Sequence, residues 1–510
     1  MPLRTETINA LREIAGTANV LTDVEDLYVY SFDQVYYERC TRRIDAVVRT
    51  HSQETIEKLN RLASDQDFII DRREEIAKLE NISKPLVMLD DSKLPFLSPI
   101  SKSKKASTGD NHEFHGIANG NLMKHALAQR ISFSNKPITL SLESNTCSRY
   151  CTVTSSFNGV ETWSAKGRML LIKASSKGEM PISPKMIDVL YTCSNCGLCF
   201  ADCLQNSELY EAIRSARRQI VIKGLTPQIF KAQAKNILKI GNPGGTPQTK
   251  RLSWLKMAPN IRFKKKAEVL YWVGCTVATR TPNTAKAVVN ILDYAKVDFT
   301  QLGSKEGCCG YILLASGLWD EAKKNATQLI EQVIKTEAKL MVTSCAGCYY
   351  TFSKLLKETL DIKLPCDIVH ASQFVENLLR EDRLDLRNLN TRVTYHDPCS
   401  LGRHANVFDA PRNVLNRIPE LRFVEMLLRK NSSRCCGGGG GLWSYNNRVS
   451  MNSALNRLSN DVVPLNVDTL VTACPTCQMN LRYASLRKSL PFKVCDFAEI
   501  VEAALVNTCS

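Results

Sequence analysis

Two kinds of apolar spacing alternate through the second half of this 510-residue chain. Short runs rich in β-branched and aromatic residues, "VLYWVGC" (269–275), "KLMVTSCAGC" (339–348), "RVTYHDPC" (392–399) and "TLVTACPTC" (469–477), have the length and composition of buried strands. Between them, "TAKAVVNILDYAK" (284–296) and "DEAKKNATQLIEQVIK" (320–335) return apolar residues at helical spacing. The alternation predicts small α/β units with parallel sheets, whose chemistry belongs at the C-terminal ends of the strands. No apolar run reaches the ~18 residues of a membrane-spanning helix, so any membrane contact is expected to be peripheral.

Each strand-like run ends at a cysteine, and the order recurs. Cys275, the pair Cys308 and Cys309, then Cys345 and Cys348 are followed by Cys399, the pair Cys435 and Cys436, then Cys474 and Cys477. Matching positions are offset by 399 − 275 = 124, 435 − 308 = 127 and 474 − 345 = 129, a drift that loop differences explain. The pattern is a duplicated domain, each copy spelling C-x(32 or 35)-CC-x(35 or 37)-C-x-x-C.

A disulfide between neighbouring cysteines is strained and closes a tiny ring, so the vicinal pairs are expected to hold something. Gly310 and the glycines at 437–441 remove Cβ atoms beside the pairs and leave backbone amides free to donate to sulfur. Structural zinc is satisfied by four ligands, whereas a fifth converging thiolate needs more metal, which points to an iron–sulfur cluster.

Upstream, "YTCSNCGLCFADC" (191–203) gives C-x2-C-x2-C-x3-C at Cys193, Cys196, Cys199 and Cys203. This is the bacterial ferredoxin spacing around a cubane, with a zinc knuckle as the other reading and Leu204 where a proline usually stands.

Composition limits the rest. The length suits about three domains, and 44% hydrophobic with 23% charged residues is ordinary for a globular protein. Sixteen of the twenty cysteines lie in short clusters and no secretion signal opens the chain, so a reducing, cytoplasmic setting is expected. The net charge of +16 draws on a lysine-rich stretch at 223–266 that matches no nucleic-acid-binding motif. An acidic protein or anionic lipid surface is the expected neighbour, and nucleic acid is not.

At these residues the chain resembles the catalytic subunit of heterodisulfide reductase and the iron–sulfur subunits of glycolate and lactate oxidases. "HDPCSLGRHANVFDAPRNVLNRIP" (396–419) and "CCGGGGGLW" (435–443) are close to the family's second repeat, and the likeness runs from about 141 to the end. The resemblance implies a noncubane 4Fe-4S cluster on each five-cysteine set: Cys275, Cys308, Cys309, Cys345 and Cys348 for one, Cys399, Cys435, Cys436, Cys474 and Cys477 for the other. Both sets are complete, which favours the reductase-like branch, since the oxidase subunits more often have degenerate repeats. It further implies electrons passing from an FAD-bearing partner through cubanes to a disulfide substrate. The alternative is a non-catalytic electron-transfer subunit of a D-lactate or glycolate dehydrogenase complex, donating to quinone, with a zinc scaffold as the reading from another class.

The family's first cubane motif is reduced here. In "TCSRYCTVTSSFNGVETWSAKGRMLLIKA" (146–174) only Cys147 and Cys151 remain, with Thr154 near the place of a fourth cysteine, ahead of Trp163, Gly167 and Arg168. One impaired or missing cubane is expected, with Cys193, Cys196 and Cys199 the firmest ligands. The N-terminal "LREIAGTANVLTDVEDLYVYSFD" (11–33) resembles the opening of the FAD domain of D-lactate and glycolate oxidases. The stretch at 71–96, where that family has a Gly-rich pyrophosphate turn, contains no glycine, so FAD is expected only on a partner subunit.

The expected organisation is a truncated flavin-domain-like segment (1–75), a linker (76–140), a ferredoxin-like domain (141–235), a basic linker (236–268) and two cysteine-rich domains (269–385 and 386–505). His112, His115 and His125 read as linker histidines, and Cys40, Cys366, Cys495 and Cys509 as structural. His396 and His404 flank Cys399 and suggest support of the site or proton delivery. Arg403 and Arg412 suggest offset of cluster charge or binding of an anionic substrate.

Overall fold

A computed structural model describes residues 3–31, 44–50, 52–72, 86–90, 151–201 and 209–506. The chain divides into two compact units, one of Met1–Arg149, Gly159–Met186 and Cys203–Ser207, the other of Tyr150–Asn158, Ile187–Asp202 and Glu208–Ser510. The expected linker (76–140) apart from Leu86–Asp90, together with Cys40, Cys147, Cys203, Cys509, His112, His115 and His125, lies outside the described residues.

In the first unit, β1 (Val20–Leu21), β2 (Ala46–Arg49), β3 (Ile69–Arg72) and β4 (Leu86–Asp90) form a sheet of order β1-β2-β4-β3, parallel except for β1. Strand alternation sends Ala46, Val48, Val87 and Leu89 into one core with Leu11 and Leu59, while Val47, Leu86 and Met88 enter another with Tyr30 and Ile44. Helices Thr5–Ala15 and Gln53–Asp65 supply Leu11 and Leu59, the latter helix capped by the Ser52 hydroxyl, which accepts from the Thr55 N–H. β4 lies within the stretch expected to be a linker. It is buried on both faces, so it shows no period-two alternation and reads as a short apolar patch. The helix Ala165–Lys177, expected in the ferredoxin-like domain, also belongs to this unit. A Cβ at Gly167 would stand 2.2 Å from the Glu161 carbonyl oxygen, so only glycine fits there.

The second unit contains the duplication. β5 (Val269–Trp272), β6 (Phe299–Thr300), β7 (Leu340–Thr343) and β8 (Asp367–His370) form a parallel sheet of order β6-β5-β7-β8. β9 (Thr391–His396), β10 (Leu421–Phe423), β11 (Thr469–Thr472) and β12 (Lys493–Asp496) form a second parallel sheet of order β10-β9-β11-β12. The strand orders are the same, and the helices exchange places across the pair. Pro282–Tyr294, after β5, packs on Phe497–Ala504, after β12; Ala371–Arg380, after β8, packs on Asp409–Leu415, after β9. Each contact carries an asparagine amide donating to a glutamate: Asn290 to Glu502 at 2.5 Å and Asn413 to Glu376 at 2.7 Å. One apolar core runs through both repeats.

The basic stretch expected as a linker is packed structure. Helix Gln228–Ile240 buries Phe230, Ala234 and Ile237 at helical spacing, Trp254 is 1% exposed against Phe263, and Arg251 is buried in an ion pair. Its lysines mask this in the sequence, because they occupy the solvent face of the helix.

Candidate metal–sulfur site

The turn after each first strand sets the first cysteine. β5 ends at Trp272, Gly274 turns at φ 84°, and Cys275 opens the helix Cys275–Arg280. The C-x-x-C cysteines straddle a helix start in both repeats. Cys345 and Cys474 are N-caps, and Cys348 and Cys477 follow in the first turn, three residues on and therefore on the same face. The vicinal pairs sit on loops fixed from below: the Asn325 amide donates to the Cys308 carbonyl at 2.9 Å and the Asn480 amide to the Cys436 carbonyl at 2.6 Å.

These loops bring all ten predicted cysteines together as two sets of five. In the first, contacts run Cys275, Cys308, Cys309, Cys348, Cys345, with the Sγ atoms of Cys275 and Cys308 3.6 Å apart. In the second they run Cys399, Cys435, Cys436, Cys477, Cys474, with Cys436 and Cys477 3.2 Å apart. The two chains of contact are equivalent residue for residue. The thiols of Cys308 and Cys348 donate to Cys309 and hold it down to about 6, and those of Cys435 and Cys477 hold Cys436 well below the ordinary thiol value. Their partners Cys348 and Cys477 are correspondingly pushed up. Buried thiols sharing protons in this way are a donor set from which a metal would displace protons. None of the described cysteines forms a disulfide. The glycines act as expected, Gly437 N–H donating to Cys435 Sγ at 3.2 Å and Gly438 N–H to Cys436 Sγ at 3.4 Å.

Both sets open on one cavity of about 210 Å3, lined by Cys275, Cys308, Cys309, Cys345, Cys348, Cys399, Cys436, Cys474 and Cys477, with Tyr311 and Ser400 among its other walls.

Of the ferredoxin-spaced cysteines, Cys193, Cys196 and Cys199 are partly buried. Cys196 meets Cys435, so the upstream motif abuts the second set, and the Ser194 hydroxyl accepts from Cys435 at 3.3 Å. Arg403 fastens this junction, donating to the carbonyls of Cys196 at 2.8 Å, Asn431 at 3.0 Å and Ser433 at 2.6 Å. Its second terminal nitrogen is buried without a partner, and its charge faces Cys196, Cys399 and Cys435. Cys151 lies elsewhere, packed against Val153, Leu442 and Val449.

The flanking residues divide by role. Arg412 is engaged by Asp397, at 2.7 and 2.8 Å, and by Glu425, so it is not available to a ligand. His404 is held neutral, its pKa pulled down to about 3 by burial; its Nε2 meets the Asn195 carbonyl at 2.8 Å and its ring stacks on Tyr350. His396 is 1% exposed and its nitrogen lies among sulfurs, within 4.8 Å of Cys436 and Cys477. Sequence reasoning passed over Arg251 and Glu306, whose buried pair underlies Cys275 and Cys308, and Trp272, which stands three residues before Cys275 as His396 does before Cys399. That equal spacing was the available signal.

The family described as "Cysteine-rich domain" (CCG) matches residues 269–353 and 393–482, the two repeats. A subunit of the dihydromethanophenazine:CoB–CoM heterodisulfide reductase of Methanosarcina mazei is 35% identical over 328 residues, covering 62% of this chain and 78% of that protein. The same subunit of the Methanosarcina barkeri enzyme is 32% identical, covering 66% and 83%. A probable iron-sulfur-binding oxidoreductase, FadF, of Bacillus subtilis is 27% identical, covering 56% and 42%. With both repeats matched and complete in their cysteines, the chain belongs to the family of iron–sulfur oxidoreductases that contains this heterodisulfide reductase subunit.

Proposed function

We propose that this chain is the iron–sulfur subunit at which a disulfide is reduced, R–S–S–R′ + 2e⁻ + 2H⁺ giving RSH and R′SH. The observation that carries the reading is the pair of equivalent five-thiol sets facing one cavity. Cys275, Cys308, Cys309, Cys345 and Cys348 would hold one noncubane 4Fe-4S centre, and Cys399, Cys435, Cys436, Cys474 and Cys477 the other. The donor sets fit: four buried thiols and one partly buried thiol each, N–H groups aimed at sulfur, and a buried Arg403 charge to offset thiolates. Such centres supply electrons singly, and two beside one cavity match a two-electron cleavage.

The protein's own groups do the rest. Cavity walls hold the disulfide between the sets, and burial of the cysteines excludes competing water. Cys193, Cys196 and Cys199 would hold a cubane, for which the contact of Cys196 with Cys435 supports entry of electrons on the side of the second repeat. Relatives named as subunits support a multi-subunit complex, and an FAD-dependent subunit is proposed as the donor. Among the described residues no helix is long and apolar enough to cross a membrane, and contact with a membrane surface or quinone would be peripheral.

The test is anaerobic purification with iron, zinc and acid-labile sulfide counts, EPR of the oxidised protein with and without added thiol, and disulfide turnover with a reduced viologen. Iron well above one cubane's worth, a new paramagnetic signal on thiol addition and turnover are the expected results. Zinc without iron overturns the reading, and iron without thiol response or turnover replaces it with an electron relay.

A further inference from the structure

The two repeats end their first strand on an aromatic ring that carries nitrogen. Trp272 closes β5 and pairs with Thr343; His396 closes β9 and pairs with Thr472. Each stands three residues before the first cysteine of its set, and each is buried, at 0% and 1% exposure. Trp272 Nε1 has no hydrogen-bond partner among the described residues, whereas the His396 ring, whose Nδ1 is unpartnered, already hydrogen-bonds to Cys436.

Trp272 packs edge-on against Phe352, and sulfur lies near the nitrogen of each ring. The Cβ position of Gly274 lies 3.4 Å from Cys348 Sγ and 4.0 Å from Trp272 Nε1, so the indole N–H and the second C-x-x-C cysteine border the same point. In the second repeat an imidazole nitrogen and the Sγ atoms of Cys436 and Cys477 lie within 4.8 Å of one another, Cys477 being the counterpart of Cys348. An indole N–H can only donate, so a buried one with no protein acceptor calls for an acceptor supplied by whatever the site binds.

We propose that the strand-closing ring is a dedicated N–H donor to the sulfur of each bound centre, Trp272 for the first and His396 for the second. The inference rests on the iron–sulfur reading above and adds the means by which the two otherwise equivalent centres are set apart. N–H donation to cluster sulfur stabilises the reduced, more negative state and raises the potential. An imidazole and an indole differ as donors, so the two centres acquire different potentials although their five-cysteine sets correspond.

The experiment is an EPR-monitored redox titration of the anaerobic holoprotein beside Trp272→Phe, His396→Leu and His396→Gln, joined to hyperfine spectroscopy on wild type labelled with 15N-tryptophan or 15N-histidine. Trp272→Phe is expected to lower the midpoint of one centre only, His396→Leu that of the other, and His396→Gln, which restores an N–H, to recover part of the shift. Both labels are expected to give weak couplings, as across a hydrogen bond. Unmoved midpoints at full iron content, or no 15N coupling, overturn the proposal, and a strong coupling from histidine overturns it in favour of direct ligation. The labelled wild type decides even where a variant loses its iron. Absence of iron from the wild type would instead sink the reading beneath it.

Discussion

Arg251 and Glu306 form an ion pair at 2.5 Å with both side chains 2% exposed, and Glu306 also accepts from the backbone N–H groups of Val273 and Gly274 at 3.0 and 2.8 Å. One carboxylate thus fixes the turn that carries Cys275 and holds a guanidinium beneath Cys275 and Cys308. Glu306→Ala leaves that charge buried and two amides unpaired, at a cost of ~3–5 kcal/mol. Glu306→Gln, whose one remaining oxygen can still accept from one of the two amides, is expected to cost less. Urea unfolding of the three proteins checks the order, and equal stability of all three would show that the pair is not structural.

Gly440 adopts φ 60°, and a Cβ on it would lie 2.4 Å from the Ser194 carbonyl group. The neighbour is backbone of the Cys193–Cys196–Cys199 loop, which cannot yield as a side-chain tip would. Gly440→Ala is expected to destabilise by at least about 1 kcal/mol from the backbone conformation alone. It should also displace the loop, so that iron bound by Cys193, Cys196 and Cys199 falls while that of the paired sets is kept. Unchanged iron and EPR in this variant would mean that the loop tolerates movement.

Acid should destabilise the fold through two histidines. Burial lowers His404 from 6.5 to about 3 and His370 from 6.5 to about 4, so the unfolded chain binds their protons first. Their contribution is fully present above pH 6.5 and is lost as pH falls from there towards the folded values, on the order of 2 to 3 kcal/mol each by about pH 4.5. His404→Phe keeps a ring to stack on Tyr350 and removes one titration. Its loss of stability between these pH values should be shallower than that of wild type, and an identical slope would refute the assignment.

The duplication was legible because the two central strands of each repeat, β5 and β7 and then β9 and β11, are short apolar runs stopped by cysteine, and strand β5 and strand β9 differ in sequence while keeping that stop. Ten site cysteines could be named for the same reason. The Arg251–Glu306 pair was not legible, since its members lie 55 residues apart and only the fold joins them. Likewise Cys196 belongs to one motif by spacing but touches Cys435, a contact spanning the junction of elements that no local pattern records. β4 was hidden by its burial on both faces, and Trp254 by the lysines around it.

The middle cysteine of each set supplies the sharpest test of equivalence. Cys309 and Cys436 each meet two neighbouring thiols, and each is the most acidified member of its set with a clear shift. Replacement by serine at one of them removes the thiolate that joins the vicinal pair to the C-x-x-C motif, while the shared core still holds both repeats in place. Cys309→Ser and Cys436→Ser are therefore each expected to abolish one paired centre and spare the other, visible as loss of iron and sulfide with an unchanged unfolding midpoint of the iron-free protein. Under the proposed cleavage of a disulfide between two centres, each variant should lose turnover with reduced viologen by at least two orders of magnitude, roughly what losing ~3 kcal/mol of barrier lowering gives. Retained turnover in either variant would show that one repeat alone can do the chemistry and that the other is a relay.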